Sequence, residues 1–255
     1  MFQIIIFALL GGLFTFLFTV LGSGIVFFFK KINKDTMDAL LSFSAGIMLS
    51  AAFFSLLTPA IEQSRSIHQN PFIVIFLGFL FGGLFILICN LIIKKFSTKN
   101  KEILSLKRCV LLFTSITLHN IPEGLAVGVA FGAMLYGSSL ISAATLTLGI
   151  ALQNFPEGSA ISLPLRRDGL SRSKAFLFGT LSGLVEPISA IIGAILILKI
   201  KIILPFVLSF AAGAMLYVTV LELIPESQQN KKKDLMAFIL LLGFSIMMMM
   251  ELILG

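Results

Sequence analysis

Two six-residue segments carry the residues of this chain that could do chemistry. They are His119-Asn120-Ile121-Pro122-Glu123-Gly124 and Gln153-Asn154-Phe155-Pro156-Glu157-Gly158, which agree at four of six positions. Both lie inside long apolar stretches. A carboxylate at bilayer depth costs on the order of 2.5–3.5 kcal/mol, so acids placed there mark ion or substrate pathways. Residues four or three apart share a helix face. His119 and Asn120 therefore point with Glu123, and Gln153 and Asn154 point with Glu157. Facing one another, two such helices would offer two adjacent donor clusters. One would hold His119, Gln153 and the glutamates; the other would hold Asn120, Asn154 and the same glutamates. A binuclear cation site bridged by carboxylates is the chemistry this pattern suggests. Imidazole, carboxylate and amide together suit zinc, iron, manganese or cobalt; an all-oxygen cage would favour magnesium or calcium, and thiolates copper(I).

The prolines add to this. Pro122 removes a helix hydrogen bond at Leu118, and Pro156 does the same at Leu152. Backbone carbonyls released within a membrane must be satisfied by protein, water or an ion. Gly124 and Gly158 allow close helix approach. Glu186, beside Pro187 and well inside its span, is a further candidate site residue, whereas Met48 is equally well read as core filler or as a soft ligand. Glu222 suits an exit path or interfacial solvation, and Glu251 and His68 read as solvated.

These residues need elements to position them, and composition restricts which. The 255 residues are 58% hydrophobic with only 12% charged, and mean hydropathy is +1.06. Such a chain is a polytopic helical membrane protein, all-α, in a single transmembrane transport domain over 1–255. Eight helices are expected, over 3–29, 37–60, 72–93, 109–134, 139–164, 175–198, 203–224 and 235–254. The first reads as a retained span because its apolar run is too long for a signal peptide. Cys89 and Cys109 have neither disulfide nor zinc-finger spacing.

Charge placement orients the spans. Odd-numbered loops hold 16 of the 19 basic residues: Lys30, Lys31 and Lys34; Lys94 to Arg108; Arg166, Arg167, Arg172 and Lys174; and Lys231 to Lys233. By the positive-inside rule these loops face the cytoplasm and both termini lie outside the cell (inner) membrane. The basic clusters thus serve topology and the lipid bilayer rather than nucleic acid.

An internal repeat is also visible. Ser42-Phe43-Ser44-Ala45-Gly46-Ile47-Met48-Leu49 in span 2 matches Ser209-Phe210-Ala211-Ala212-Gly213-Ala214-Met215-Leu216 in span 7 at six of eight positions. The two spans run in opposite directions, as do spans 4 and 5. A 3+2+3 inverted repeat with its site at the repeat interface is a secondary-transporter arrangement. Gly78, Gly82 and Gly83 in span 3 are suited to packing within the chain or against a second copy, as in a homodimer.

The chain resembles the ZIP family of divalent-metal transporters, in its prokaryotic branch, over nearly its whole length. The resemblance rests on eight spans, both termini outside, the 3+2+3 repeat and the paired motifs of spans 4 and 5. It implies uptake of zinc, or of iron, manganese, cobalt or cadmium, into the cytoplasm as cargo, with no cofactor. It makes His119, Glu123, Gln153 and Glu157 ligands of one metal, with Met48 nearby. Asn120, Asn154 and Glu186 become ligands of an adjacent metal, with Glu123 and Glu157 bridging. It also implies an elevator-like slide of one helix bundle against another. The chain departs from the pattern at Gln153, where many members have His, and at Asn154, where some have Asp. Its loop from Lys94 to Arg108 has none of the histidines that many eukaryotic members carry there. Two other readings compete. A di-metal hydrolase would need a water-activating base, but the His-Glu-x-x-His pattern is absent. A different secondary transporter, or a proton pathway through the glutamates, is permitted by the repeats.

Overall fold

The computed structural model describes the backbone of residues 2–28, 33–97, 104–167, 169–199 and 201–254. Within these it describes every side chain but those of residues 93–97, 104–112, 115, 116, 118, 119, 167, 198, 199, 201 and 254. The side chain of His119, that of Cys109, the basic side chains from Lys94 to Arg108, and Lys30, Lys31, Arg167, Lys199 and Lys201 therefore lie outside the described residues.

Among those described, every regular element is helical. Eight long helices follow one another: α1, Phe2–Phe28; α2, Lys34–Ser66; α3, Pro71–Ser97; α4, Leu104–Ala133; α5, Leu140–Arg167; α6, Arg172–Ile197; α7, Leu204–Ser227; and α8, Lys233–Leu254. A helix satisfies its backbone internally, which is what a lipid environment demands. Among the described residues, six of these helices are long and apolar enough to cross a membrane by length and composition. α4 and α5, which carry the polar motifs, have at 30 and 28 residues the length to span. The chain is a multi-pass membrane protein.

Local signals set the helix starts. The side chain of Asn33 accepts from the Asp35 amide at 3.3 Å. Ser139 and Ser171 do the same for α5 and α6, at 2.9 Å and 3.3 Å; these are N-caps. Gly137, at φ 104°, turns the chain between α4 and α5 in a conformation that glycine tolerates best. Two features were not legible in the sequence. α2 widens into a π-turn over Ala51–Leu57, and α7 does so over Thr219–Leu223. Proline explains both: Pro59 and Pro225 would clash with the carbonyls of Ser55 and Leu221, and a wider turn relieves that clash.

The helices pack as two groups. α1 lies mainly against α5 and α6, and α4 against α6, forming one bundle. α3 lies against α7, and α2 against α8, forming the other, with α2–α5 and α4–α7 contacts between them. Glycines permit the closest approaches: a Cβ at Gly22 would clash with the Phe155 carbonyl, at Gly46 with that of Leu240, and at Gly213 with that of Phe79. Gly78 and Gly82 pack on Ser209 and Phe210 of α7. The small-residue face of α3 is therefore used within the chain, and any second copy would need another surface. Phe76, Leu80 and Leu84 of α3 and Phe238, Leu242 and Met249 of α8 face outward, as lipid-facing residues should.

A polar knot joins the start of α2 to the α7–α8 connection. The Asn230 side-chain amide donates to Asp38 at 2.8 Å and to Asp35 at 3.0 Å. Asp38 and Asn230 are buried, whereas the Lys232–Asp35 ion pair beside them is solvent-exposed. Removing a donor from a buried carboxylate costs about 1–3 kcal/mol, while an exposed pair is worth roughly 0–1 kcal/mol. Asn230→Ala should therefore lower the thermal midpoint of the purified protein clearly, and Lys232→Ala hardly at all. Equal shifts in a melting experiment would show that the knot is held by the ion pair instead.

Candidate metal centre

α4 and α5 bring the two motifs face to face. Glu123 and Gln153 are fully buried, and the Gln153 amide donates to Glu123 Oε1 at 2.5 Å. Asn154 donates to Glu186 Oε2 of α6 at 2.7 Å and to the Thr15 carbonyl of α1 at 3.3 Å. Asn120 donates to the Ser182 carbonyl of α6 at 2.9 Å. Glu157 is 7% exposed. Glu123, Glu157 and Glu186 are close enough for their charges to act on one another. Glu222, in the π-turn of α7, is within the same reach of Glu157. The structure thus gathers Asn120, Glu123, Gln153, Asn154, Glu157 and Glu186 where α4, α5 and α6 meet. His119 occupies the position before Asn120 on α4.

Among the described residues, four buried oxygens of this cluster find no donor: Asn120 Oδ1, Glu123 Oε2, Gln153 Oε1 and Asn154 Oδ1. Each amide of the cluster spends its N–H on a neighbour, which leaves its oxygen unpaired. A buried acceptor without a partner costs about 1–3 kcal/mol, and four together require something positive. An N–H or O–H donor could serve one of them, whereas a cation can accept several such oxygens. No three imidazole, thiol or carboxylate groups among the described residues crowd closely enough to hold an ion by themselves. The donor set is a mixture of carboxylates and amides.

Other candidates fall as follows. Met48 is buried, its sulfur 3.7 Å from the Thr219 hydroxyl of α7, which donates to the Met215 carbonyl at 2.8 Å. Glu251 is not simply solvated: it is half-buried, and Ser55, in the π-turn of α2, donates to its carboxylate. His68 is exposed in the α2–α3 connection, at φ 56°. Sequence reasoning missed the contribution of α1. Thr15, Thr19 and Ser23 are all buried, and their four-residue spacing puts them on one face of an otherwise apolar helix. That spacing was a readable signal. Ser44 of α2, which donates to the Gln153 carbonyl at 3.0 Å, offered no comparable pattern.

The fold and this cluster define a multi-pass helical membrane protein built around a buried carboxylate–amide centre. The chain belongs to the ZIP zinc transporter family, a family of transporters rather than enzymes: the family's model, described as ZIP Zinc transporter, matches residues 1–107 and 104–251. Zinc transporter ZIP11 of Homo sapiens is 33% identical, over 97% of this chain and 97% of its own. Zinc transporter ZIPB of Bordetella bronchiseptica is 34% identical, over 98% of this chain and 82% of its own. Zinc transporter ZupT of Clostridium perfringens is 32% identical, over 90% and 89%.

Proposed function

We propose that this protein carries divalent transition metal, zinc first, into the cytoplasm through a two-ion site between α4 and α5. The observation that carries the reading is the set of four unpaired buried oxygens beside three glutamates. His119, Glu123, Gln153 and Glu157 would hold one ion, with Met48 nearby. Asn120, Asn154 and Glu186 would hold the other, with Glu123 and Glu157 as bridges. Amide oxygens are weaker donors than thiolates, which suits an ion that must leave again. The names of the relatives, all zinc transporters, support zinc as cargo. Glu222 would continue the acidic path toward the cytoplasm.

Eight spans in an inverted repeat are part of this proposal, and the contacts support them. Thr19 and Glu186 stand 167 residues apart, and the same step carries Gly46 to Gly213, Phe43 to Phe210 and Thr15 to Ser182. Asn154 donates to the Thr15 carbonyl, while Asn120 donates to that of Ser182. Gly158 backs onto the Thr19 carbonyl, as Gly124 does onto that of Glu186. Gly243 meets Phe43, and Gly82 meets Phe210. Each of these contacts in one half has its counterpart in the other, which supports the repeat. The bundle of α1, α4, α5 and α6 would then slide against that of α2, α3, α7 and α8. Both termini would lie outside the cell membrane, a reading that the basic odd-numbered loops support.

The test is influx into liposomes that hold the purified protein and a metal-sensitive dye. Saturable influx of zinc, exceeding that of magnesium, is expected, with iron(II), manganese, cobalt and cadmium ranking between or beside them. A folded protein that moves protons but none of these metals would replace this reading with the proton-pathway one.

A further inference from the structure

Glu186 is fully buried, and both its oxygens are held by neutral donors. Asn154 serves Oε2. The hydroxyl of Thr19 on α1 donates to Oε1 at 3.1 Å. Buried helical threonines ordinarily return their proton to a carbonyl of their own helix, and here Thr147 and Thr219 do so, as does Thr15 toward Gly12 with its hydroxyl still within reach of Glu186. Thr19 instead reaches across to α6. Room has been left for it: a Cβ at Gly183 would lie 2.9 Å from Thr19 Cγ2 and 3.0 Å from Glu186 Oε1. On its other side, Gly158 of α5 abuts the Thr19 backbone. Thr19 is thus wedged between two glycines, with its hydroxyl on the carboxylate.

We propose that Thr19 is a positioning residue of the cation site, holding the Glu186 carboxylate in the orientation from which it binds the second ion; this rests on the metal-transport reading above. A carboxylate oxygen has two lone pairs, so Oε1 can accept from Thr19 and still face an ion. With Asn154 holding Oε2, the hydroxyl is the second tether that stops the carboxylate from rotating. The Thr15 carbonyl, one turn earlier on α1, fixes the Asn154 amide so that its Oδ1 stays free. α1 therefore orients two ligands of the same ion and supplies none itself.

Partners that orient metal ligands typically change affinity by 10–100-fold when removed. Thr19→Val keeps the shape and deletes the hydroxyl. It should raise the KM for zinc influx about tenfold with Vmax little changed. Thr19→Ser, which restores the hydroxyl, should return KM to near wild type. Zinc binding to the purified protein is the second readout: Thr19→Val should weaken it in the wild-type background and leave it unchanged in a Glu186→Ala background, because Thr19 acts through that carboxylate. If Thr19→Val fails to fold, Thr19→Ala compared with Thr19→Ser makes the same test. Three results would overturn the proposal: wild-type KM in the hydroxyl-less variant, equal loss in the valine and serine variants, or an undiminished effect without Glu186. Wild-type protein that moves no metal would sink the transport reading itself, and this one with it. Wild-type influx unaffected by Thr19→Val would sink this one alone.

Discussion

Glu157→Ala is expected to cut zinc influx to the background of protein-free liposomes, at least a hundredfold below wild type, while the protein still inserts and elutes as a single species. Glu157 is within electrostatic reach of Glu123, Glu186 and Glu222. In the proposed site it bridges both ions, so its loss removes a ligand from each. The amides that remain carry no charge to offset that of a divalent cation. Losing one of several crowded, buried carboxylates leaves no partner charge stranded, so folding should not suffer as it would at a paired site. Glu157→Asp keeps the charge but draws it back by one methylene, and should retain partial influx with a raised KM. Metal influx is measured in dye-loaded liposomes, with size-exclusion elution as the folding control. Wild-type influx in the alanine variant would remove Glu157 from the site and dissolve the two-ion geometry.

The second large effect is expected at Gly124, one residue past Glu123. An added Cβ there would clash with the Glu186 carbonyl and come within 2.8 Å of Glu186 Cα and Ser189 Cβ. All three atoms are backbone or Cβ of a helix carrying a proposed ligand, and none can swing aside. Gly124→Ala must therefore push α6 from α4 at the level of the site. Overpacking of this kind costs about 1–3 kcal/mol. Displacing Glu186 should also reduce influx, by about tenfold or more if positioning on the ångström scale matters as it does elsewhere. Gly132, two turns on along the same helix pair, is the control: its added Cβ would come no closer than 3.1 Å, to Ile197 Cβ, so the two helices need give way by only a few tenths of an ångström. Gly132→Ala should lower the thermal midpoint less and leave influx near wild type. Equal behaviour of the two variants, in melting and in influx, would show that the α4–α6 contact is compliant and that Gly124 does not set the position of Glu186.

Much was legible in the sequence because the membrane restricts what a chain can do. An apolar run of about 20 residues has one economical structure in lipid, so helices were predictable to within a few residues: 72–93 against Pro71–Ser97, and 235–254 against Lys233–Leu254. Glutamates within such runs stand out against the apolar background, and i,i+3 and i,i+4 spacing assigns their companions without any tertiary information. The repeat of Asn-x-Pro-Glu-Gly and that of Ser-Phe-x-Ala-Gly-x-Met-Leu are likewise properties of the chain alone.

Tertiary structure decided the rest. Which way each amide points depends on what lies across from it. Asn154 turns its N–H to Glu186 and the Thr15 carbonyl, leaving Oδ1 unpaired, and no local pattern encodes that choice. The role of Thr19 depends on Gly158 and Gly183, residues of two other helices far along the chain. The π-turns arise from prolines visible in the sequence, but whether a helix kinks or widens at a proline is settled by its neighbours. Helix formation and burial of charge are decided by each residue's exchange with lipid, and are local. Donor–acceptor pairing across helices is decided by packing at close range, and only the folded bundle specifies it.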